Sequence, residues 1–462
     1  MDFIYRFLNK MVFYKQKHID IGSLGLSNLE ETVLVRGCVR DARIQSNCAF
    51  IKIFDGSSSN CLQLIVDADL FSIIEGLTNG ASLAVSGIVK KHPKKDEVEL
   101  HVRGVDYVGR IDDPKNCILG ANRPSLDALR DCPTVWGKSP VIHAVRRISS
   151  GLLHCLSLEF HKLGFNKRDP SILTINDCEG AGEMFTIDPL QSDKFFGQKV
   201  GLTVSSQWGL ELFVQSEEKV WTDNPSFRAE PSDSSRHLAS FKHIEWEFAW
   251  ADIHDLMDLS EQLTQSCFKY ILDNHRDDLR VLDMSVSKGI IERMENLIKV
   301  TYVRITYDDA ISLLKDAPAG RFENIVAWGE DLGSIYENYI AEEVFKKPVF
   351  VYNYPKNLKS FYMKQNDDGN TVQGCDLLMP GLGELIGSSV RESDYNKLMD
   401  VVKTRNMSLE GIQWYLDLRR NGSKPSAGAG LGFERLVMCC TGIKNIRCCT
   451  AQPVYYKGKM IF

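Results

Sequence analysis

Charged side chains occupy several predicted strands at positions where a buried face would carry apolar residues. Arg228 and Glu230 are two residues apart, so a strand would place both on one face. A loop and a return strand would bring Arg236, His237 and Phe241 beside them. Guanidinium groups, a carboxylate and an aromatic ring suit the phosphates and the base of a nucleotide.

A pair of carboxylates is predicted on neighbouring strands. Asp376 and Glu384 lie on either side of a tight turn at residues 380–381, so the two strands would bring them close together. Two carboxylates repel each other unless a cation lies between them, and Mg²⁺ carrying phosphates is the usual one. The chain contains no G-x-x-x-x-G-K-[ST] motif, so a nucleoside triphosphate would bind without a P-loop. Internal salt bridges are the alternative explanation for any one of these groups.

Residues 426–435 read SAGAGLGFER and would connect a strand to a helix. Gly428, Gly430 and Gly432 bring the backbone close to a neighbour or a ligand, because no Cβ intervenes. Arg435 would lie at the junction, where a guanidinium can contact a phosphate or a purine. A glycine-rich strand packed on a helix, with a surface Glu–Arg pair, is the alternative.

Residues 32–110 read as five closely spaced short strands separated by turn signals. With one short helical segment near residues 70–76, this pattern predicts a five-stranded OB barrel, a fold that binds oligonucleotides by stacking and backbone contacts. Phe50 is the expected stacking platform, with Arg43 and Gln63 placed to reach base edges. A core phenylalanine and two surface polar residues are the alternative.

The remaining chain predicts a larger α+β domain. Residues 202–207 read as a strand, and residues 248–272 read as a long helix. Strands and helices do not alternate simply, which indicates a mostly antiparallel sheet flanked by helices. We expect an N-terminal segment and barrel over residues 1–110, a proline-containing linker over 111–139, and a second domain over 140–462 with an insertion at about 288–347.

Composition is that of an intracellular globular protein. The 462 residues are 44% hydrophobic and 25% charged, and no apolar run approaches the roughly 20 residues that span a bilayer. The thirteen cysteines lack a paired zinc spacing, which predicts reduced thiols. With a net charge of -6, a nucleic-acid partner would have to meet a local basic patch, and the barrel offers Arg36, Arg40, Arg43 and Lys52 for it. We expect a cytoplasmic protein with no membrane partner; residues 1–17, basic and apolar, leave the mitochondrial matrix as the alternative.

Several motifs resemble those of class II aminoacyl-tRNA synthetases. Residues 227–230, Phe-Arg-Ala-Glu, resemble motif 2, and residues 428–435 resemble motif 3. Finer similarities are to the asparaginyl-tRNA synthetases of the bacterial and organellar type, and they extend from the barrel to about Arg447. The segments that carry them are residues 177–185, 235–239, 361–363, 383–387, 414–420 and 445–447.

The resemblance implies a two-step reaction. The carboxylate of asparagine attacks the α-phosphorus of ATP, and the asparaginyl group then passes to the terminal ribose of tRNA(Asn). By similarity, Arg228 grips the α-phosphate, Glu230 holds the adenine amino group, and Phe241 stacks under the adenine with Arg435 on its other side. Arg228 and Arg435 would be catalytic, and Gly432 would belong to the ATP site.

Further roles follow from the same resemblance. Arg236 and His237 would meet the outer phosphates, and Asp376 and Glu384 would hold Mg²⁺. The barrel would read the anticodon through its stacking platform and the two polar residues beside it. A homodimer paired through motif 1 is implied, although residues 166–169 are polar for an interface strand.

The amino-acid pocket is also assigned by resemblance. Glu179, Gln207 and Glu245 would line the pocket for the α-amino group, and Arg391 would point at the side-chain carbonyl oxygen. The aspartate enzymes place a lysine three residues after the glutamine equivalent to Gln207, where this chain has Leu210. A neutral amide needs less positive charge than a carboxylate, so the resemblance favours asparagine.

The chain departs from the family pattern at a few positions that concern the dimer, the motif 2 loop and the catalytic rate. They are Ser171, Pro231, Ser388, Cys448 and Val454. A weakened paralogue that binds RNA, and an aspartate-specific or non-discriminating tRNA ligase, are the alternatives. An amide-forming asparagine synthetase on the same core is disfavoured, because those relatives lack the barrel.

Overall fold

The protein is described by a computed structural model. The described residues are 17–120, 124–176, 184–324 and 326–458. The chain divides into two compact units. Unit 1 comprises Met1–Arg147 and Arg276–Ser285, and unit 2 comprises Ile148–His275 and Val286–Phe462. The predicted domain boundaries stay a prediction.

The strands are numbered in chain order. They are β1 (Lys17–His18), β2 (Thr32–Ile44), β3 (Cys48–Phe54), β4 (Leu62–Asp67), β5 (Ser82–Lys91), β6 (Val98–Gly109), β7 (Asn166–Lys167), β8 (Leu173–Thr174), β9 (Gly201–Leu202), β10 (Lys219–Thr222), β11 (Pro225–Phe227), β12 (Ser240–Ala249), β13 (Val303–Thr306), β14 (Val349–Pro355), β15 (Thr371–Met379), β16 (Gly383–Val390) and β17 (Ser426–Gly432).

The α-helices are numbered likewise. They are α1 (Phe71–Ile74), α2 (Leu126–Arg130), α3 (Pro133–Trp136), α4 (Pro140–Lys162), α5 (Pro189–Phe196), α6 (Gln207–Val214), α7 (Ile253–Asn274), α8 (Arg276–Ser285), α9 (Ile290–Leu297), α10 (Tyr307–Lys315), α11 (Ser334–Asn338), α12 (Tyr395–Thr404), α13 (Gln413–Arg420) and α14 (Phe433–Thr441). A π-helix covers Tyr339–Val344, and 3₁₀ turns cover Ile21–Ser23, Leu26–Asn28, Ala68–Leu70, Ile118–Gly120 and Ile446–Cys448.

Unit 1 contains the predicted OB barrel. Its sheet has the order β1-β2-β3-β4-β6-β5, and a further pairing of β2 with β5 closes it. Ala49, Ile51 and Ile53 of β3 are fully buried in the barrel core. Because side chains alternate along a strand, Phe50 and Lys52 lie on the outer face. The prediction of a five-stranded barrel with an outward Phe50 is confirmed by this alternation.

Unit 2 is built on a nine-stranded sheet. The strand order is β13-β14-β15-β16-β17-β12-β10-β7, with β11 paired to β12. Only the β13–β14 and β7–β10 pairs of this sheet are parallel among the described strands. Helix α7 packs against β15, β16 and β17 through a buried face that includes Leu256, Leu263 and Phe268. The prediction of a mostly antiparallel sheet flanked by helices is confirmed.

The local structure near Gln207 differs from the predicted strand. Of residues 202–207, only Leu202, at the end of β9, belongs to a strand, and Gln207 begins helix α6. The backbone N–H of Ser206 donates to Glu245 Oε2 over 2.8 Å, and that of Gln207 donates to Ser205 Oγ over 3.1 Å. A carboxylate distant in sequence therefore satisfies the helix start, which no local pattern could indicate.

Two further predictions of local structure are wrong. Arg228 and Glu230 do not lie on a strand, because β11 ends at Phe227. The helix predicted from residue 248 begins only at Ile253, and residues 240–249 form β12. Strand β12 lies between β17 and β10 and carries polar residues on one face. These residues could be assigned to a cavity only once the neighbouring strands were known.

None of the helices in the described ranges combines the length and the apolar character that a bilayer crossing requires. Every cysteine that the structure describes carries a free thiol, as the sequence predicted.

Candidate active site

A cavity of about 390 Å³ opens on the face of the unit 2 sheet formed by β12, β15, β16 and β17. It brings together twelve residues that the sequence singled out: Gln207, Arg228, Glu230, Arg236, His237, Phe241, Glu245, Asp376, Glu384, Arg391, Gly432 and Arg435. Glu179 lies outside the described residues.

The glycines of β17 leave space in the cavity for side chains of the neighbouring strand. Strand β17 pairs with β12 so that each glycine lies opposite a polar residue: Gly428 opposite Glu247, Gly430 opposite Glu245, and Gly432 opposite His243. A Cβ atom at position 428 would overlap the Glu247 carboxylate, and one at position 430 would overlap the His243 ring. The alternating glycines were predicted to allow a close approach, and the approaching groups include side chains of the neighbouring strand.

Motif 2 residues form one wall of the cavity. The Arg228 guanidinium lies 5.5 Å from the centre of the Phe241 ring. Glu230 Oε2 lies 4.0 Å from His237 Nε2, and Ser232 Oγ and Ser234 Oγ lie 3.2 and 2.5 Å from His237 Nδ1. Burial, helped by neighbouring arginines, lowers the pKa of His237, so the ring is neutral near pH 7.

The predicted carboxylate pair, Asp376 and Glu384, faces the backbone of Gly387. A Cβ at Gly387 would lie 3.0 Å from Glu384 Oε1 and 3.7 Å from Asp376 Oδ1. Lys359 Nζ lies 2.6 Å from Asp376 Oδ2, and Arg435 Nη1 lies 3.2 Å from Glu384 Oε2. Each carboxylate thus has one oxygen beside a cation and one oxygen facing a shared space.

The electrostatics of the pair are those of a crowded anionic site. Burial and the charge of Glu384 raise the pKa of Asp376, although Lys359 opposes them. Burial would also raise the pKa of Glu384, but the cations Arg435 and Lys359 outweigh it and lower that pKa. Burial and these two carboxylates raise the pKa of Glu337, on α11, to about 7.

The donor set fits a Mg²⁺ ion that arrives with phosphates. The described part of the chain has no group of three or more His, Cys, Asp or Glu side chains that could hold a metal by itself. Mg²⁺ commonly takes one or two carboxylates and completes its shell with water and substrate phosphates. The two oxygens of Asp376 and Glu384 that face Gly387 meet this requirement in a space that a Cβ would fill.

A buried charge network forms the inner end of the cavity. Arg391 donates to Glu247 with Nε and Nη2, at 3.1 and 2.8 Å, and lies 3.7 Å from Glu211. Arg419 Nη2 donates to Glu211 Oε2 over 2.8 Å, and Tyr415 Oη donates to the same carboxylate. All five side chains are nearly inaccessible to solvent.

The protonation of this network follows from burial and from its arginines. Burial alone would raise the pKa of Glu211, but Arg419 and Arg391 outweigh it and hold the pKa below its usual value. Burial raises the pKa of Glu247 despite its bond to Arg391. Burial likewise raises the pKa of Glu245.

Gln207 and Glu245 are oriented by bonds of their own. Gln207 Nε2 donates to Glu211 Oε1 over 2.9 Å, and Gln207 Oε1 accepts from Tyr362 Oη over 2.9 Å. Glu245 accepts hydrogen bonds from Ser205 Oγ and from the backbone N–H of Ser206. Both predicted residues therefore have fixed side chains at the cavity surface.

Sequence reasoning missed several cavity residues. Glu247 lies two residues after Glu245 on β12, so a period of two could have indicated it. Glu211, behind the cavity wall, lies four residues after Gln207 on α6 and bonds to it, but the strand predicted for residues 202–207 gave no reason to apply a helical spacing. Lys359 follows β14 on an irregular segment and carried no signal.

Two of the departures from the family pattern, Ser388 and Val454, have hydrogen-bond partners nearby. Ser388 Oγ donates to the Cys375 carbonyl over 2.8 Å, so its hydroxyl is satisfied on the sheet. Val454 pairs with Ser240, and its carbonyl accepts from Ala239 N over 2.8 Å.

The outer face of the barrel in unit 1 carries the three predicted anticodon residues. Arg43 is paired with Phe50 across β2 and β3, and Lys52 with Gln63 across β3 and β4. Paired residues share a face, and so do residues two apart, so all four lie on one face. Gln63 Nε2 donates to Glu99 Oε2 over 3.0 Å.

Arg40 does not belong to this exposed face, although the sequence grouped it with the basic residues of β2. Its guanidinium lies 3.4 Å from the centre of the Phe54 ring and donates to the Lys138 carbonyl. Burial lowers the pKa of Arg40 to about 10. The residue is therefore a structural part of unit 1.

The fold and the cavity define a class II tRNA synthetase. A family model described as tRNA synthetases class II (D, K and N) matches residues 133–455. A second, described as an OB-fold nucleic acid binding domain, matches residues 33–106.

Similar proteins indicate which member of this class the chain resembles. Asparagine–tRNA ligase of Shewanella sediminis is 40% identical over 434 residues, covering 90% of this chain and 93% of that protein. The ligase of Desulfotalea psychrophila is 40% identical over 423 residues, covering 90% and 94%. The crystal structure of asparaginyl-tRNA synthetase from Pyrococcus horikoshii complexed with asparaginyl-adenylate matches with a TM-score of 0.85 and 30% identity, covering 95% of this chain and 98% of that one. The chain belongs to the asparagine–tRNA ligases of class II.

Proposed function

We propose that this chain activates asparagine with ATP and transfers it to tRNA(Asn). In the first step a carboxylate oxygen of asparagine bonds to the α-phosphorus and the bond to the β-phosphate breaks, which releases pyrophosphate. In the second step a hydroxyl of the terminal ribose attacks the activated carbonyl and AMP leaves. The observation that carries the choice of asparagine is the charge balance at the inner end of the cavity.

That balance disfavours an acidic substrate. Three carboxylates, Glu211, Glu245 and Glu247, face two guanidiniums, Arg391 and Arg419. A substrate carboxylate would add negative charge to a buried group in which the carboxylates already outnumber the guanidiniums, which costs several kcal/mol. Leu210, which is 1% exposed, leaves an apolar surface where the aspartate enzymes place a lysine.

A neutral amide satisfies the same groups. An amide has a carbonyl oxygen that accepts and an NH₂ group that donates. Arg391, which lines the cavity, is the donor for the carbonyl oxygen, and a carboxylate that lines the cavity beside it is the acceptor for the NH₂ group. Burying an amide without these partners would leave polar groups unsatisfied, so they select asparagine over apolar amino acids as well.

The nucleotide occupies the outer part of the cavity in this proposal. Phe241 stacks on one face of the adenine and Arg435 covers the other, as the ring and the guanidinium line the same cavity. Glu230 accepts from the adenine amino group. Arg228, close to Phe241, binds the α-phosphate and stabilises the negative charge that develops there during attack.

The outer phosphates leave as pyrophosphate and need positive charge. Arg236 supplies it, and the neutral His237 donates a hydrogen bond to the same group. Mg²⁺ held by Asp376 and Glu384 would neutralise phosphate oxygens. In this assignment the α-amino group of asparagine binds near Gln207 and Glu245, which line the cavity beside Arg228.

Amino-acid-dependent exchange of pyrophosphate into ATP tests the first step. We expect exchange with asparagine, and exchange with aspartate weaker by about a hundredfold or more, following the cost of burying an unpaired carboxylate. Equal exchange with both would indicate a non-discriminating ligase. No exchange with any amino acid on folded protein would leave an RNA-binding paralogue.

The barrel face supplies the tRNA site. Phe50 is the stacking platform, and Arg43 and Gln63 are within reach of a base stacked on it, because they share its face. Charging of tRNA(Asn) against tRNA(Asp) transcripts tests this assignment. Equal charging of both would contradict anticodon reading by this face.

We also infer a homodimer. Apolar side chains are exposed on α4, on the segment around β8 and on α6: Leu158, Ile172, Leu173, Ile175 and Leu212. Such a group of exposed apolar residues is typical of an interface. Sedimentation at micromolar concentration is expected to give a dimer, and a monomer alone would contradict it.

The cytoplasm is the compartment that we propose, because free thiols suit a reducing environment. The mitochondrial matrix is reducing too, so imaging of the full-length chain fused to a C-terminal fluorescent protein distinguishes them.

A further inference from the structure

The two proposed metal-binding carboxylates share one arrangement. Lys359 Nζ lies 2.6 Å from Asp376 Oδ2, and Arg435 Nη1 lies 3.2 Å from Glu384 Oε2. The opposite oxygens, Asp376 Oδ1 and Glu384 Oε1, face the surface of Gly387 that lacks a Cβ. The pair therefore presents two oxygens to one small space, while its other two oxygens are already neutralised.

The ammonium of Lys359 is held in place from several sides. Its side chain is 18% exposed, and Nζ lies 3.8 Å from the centre of the buried Tyr354 ring. Arg405 Nη2 donates to the Lys359 carbonyl over 3.0 Å, which fixes the backbone. An ammonium that has lost most of its water and most of its rotamers acts as a permanent charge beside Asp376.

A permanent positive charge at this place opposes a second cation. Repulsion between Lys359 and an incoming divalent ion offsets part of the attraction of the carboxylates. Lys359 also occupies Oδ2, so Asp376 offers a metal one oxygen instead of two. A triphosphate brings its own negative charge, which restores the attraction for the ion.

We propose that Lys359 is a positioning residue that keeps the nucleotide-free site from holding a divalent cation, so that the metal enters with the triphosphate. This inference rests on the proposed function, because it takes Asp376 and Glu384 as the residues that hold Mg²⁺. The two carboxylate oxygens above Gly387 then stay open until the phosphates arrive with their ion.

A purely structural role for Lys359 leads to a different expectation. If its ion pair only anchors the segment after β14 to Asp376 on β15, removing it lowers thermal stability and metal affinity together. If Lys359 repels the metal, removing its charge raises the metal affinity of the free protein even though an anchor is lost. The direction of the change separates the two roles.

Mn²⁺ binding to the full chain without nucleotide, measured by electron paramagnetic resonance of the free ion, tests the proposal. Lys359→Met keeps the length and removes the charge, and we expect about tenfold tighter Mn²⁺ binding than in the unchanged protein. Lys359→Arg keeps the charge and is expected to bind Mn²⁺ as weakly as the unchanged protein. Lys364→Met, at an exposed position a few residues along the same segment, is the matched control and is expected to change nothing.

Equal or weaker Mn²⁺ binding by folded Lys359→Met protein overturns the proposal. If that variant lacks a cooperative melting transition, Lys359→Gln replaces it with the same expected direction, and no tightening there overturns the proposal equally. Asparagine-dependent pyrophosphate exchange by the unchanged protein tests the proposed function separately. Because the Mn²⁺ titration needs no asparagine or tRNA, either result can fail without the other.

Discussion

The barrel face of unit 1 and the cavity of unit 2 use charged residues in opposite ways. Arg43, on the barrel face, has a side chain that is 76% exposed, whereas Arg391, in the cavity, has one that is 6% exposed and bonded to Glu247. An exposed cation is screened by water and salt, so it attracts a polyanion without fixing its position. A buried cation holds a fixed direction and selects among substrates by the cost of leaving a charge unpaired.

The difference predicts which region tolerates substitution. On the barrel face, residues act one at a time, because solvent compensates for each loss. In the cavity, Glu211 touches Gln207, Tyr415 and Arg419, so a change at one position alters the partners of several others. The contrast predicts large, step-specific effects from the cavity and graded effects from the barrel.

The largest effect is expected from Arg435→Ala. In the proposed assignment the guanidinium covers the adenine, and its Nη1 also donates to the backbone carbonyl of Glu384 over 2.8 Å, so asparagine-dependent exchange should fall about a thousandfold or more. Binding of tRNA, measured by filter retention, should be unchanged because the barrel lies in the other unit. Arg420→Ala, at an arginine whose side chain is 61% exposed, is the control and should keep full exchange. Loss of tRNA binding in Arg435→Ala would break the comparison.

Phe50→Ala is expected to have the reverse effect. Stacking on an aromatic ring contributes about 1–3 kcal/mol per base, so tRNA charging should weaken about ten- to a hundredfold. Asparagine-dependent exchange should stay at the level of the unchanged protein, because Phe50 lies outside the barrel core. Ile51→Ala is the contrasting variant, since Ile51 is fully buried and its loss should unfold the barrel. Equal damage to both steps by Phe50→Ala would mean that Phe50 supports the fold.

Glu434→Gln tests the burial of a cavity carboxyl through the pH dependence of the unfolding free energy. Burial raises the pKa of Glu434 to about 7, against 4.5 for an exposed glutamate. A carboxyl whose pKa is raised by folding stabilises the protein fully below the unfolded value, and this stability is lost as pH rises through the folded value. The glutamine variant should therefore gain about 2 kcal/mol relative to the unchanged protein between pH 5 and pH 8, measured by urea unfolding.

Glu218→Gln, at an exposed position of the same unit, is the control for this pH dependence. Its difference in unfolding free energy from the unchanged protein should stay flat over the same pH range. A flat difference for Glu434→Gln as well would mean that the carboxyl is hydrated in the folded protein.

The smallest effect is expected from Arg43→Ala. Loss of one exposed positive charge beside the stacked base should weaken tRNA binding by about two- to fivefold at 0.1 M salt and make the salt dependence shallower. Arg40→Ala is the matched variant on the same strand and should instead lower the stability of the barrel by about 1 kcal/mol, since Arg40 packs on Phe54. If Arg40→Ala weakened the salt dependence of tRNA binding without changing stability, Arg40 would belong to the RNA-binding face.

The sequence predicted the barrel face well because alternation in a strand with one buried side carries direct information. Ala49, Ile51 and Ile53 of β3 are buried, and Phe50 and Lys52 between them point outward, as the pattern required. Arg40 was the exception, because a long side chain can fold back over the end of a barrel onto an aromatic ring that the pattern does not reveal.

The cavity was predicted by pattern and by motif together. Nine of the twelve residues stood out by their chemistry and spacing, whereas Gln207, Glu245 and Arg391 were assigned by resemblance to a family, and all twelve converge as expected. Glu211 and Lys359 were missed, since each becomes part of the cavity through a partner more than ten residues away in the chain: Arg419 for Glu211 and Asp376 for Lys359.

By itself, the sequence determined the two fold classes, the outward position of Phe50 and the residues that converge on the nucleotide site. Those features depend on local alternation and on short motifs, which neighbouring residues fix. Tertiary structure alone decided that Gln207 begins a helix, that the glycines of β17 make room for Glu247 and His243, and that Lys359 neutralises Asp376. Each of these depends on which strands become neighbours, and a buried charge acquires its partner only when the sheet has formed.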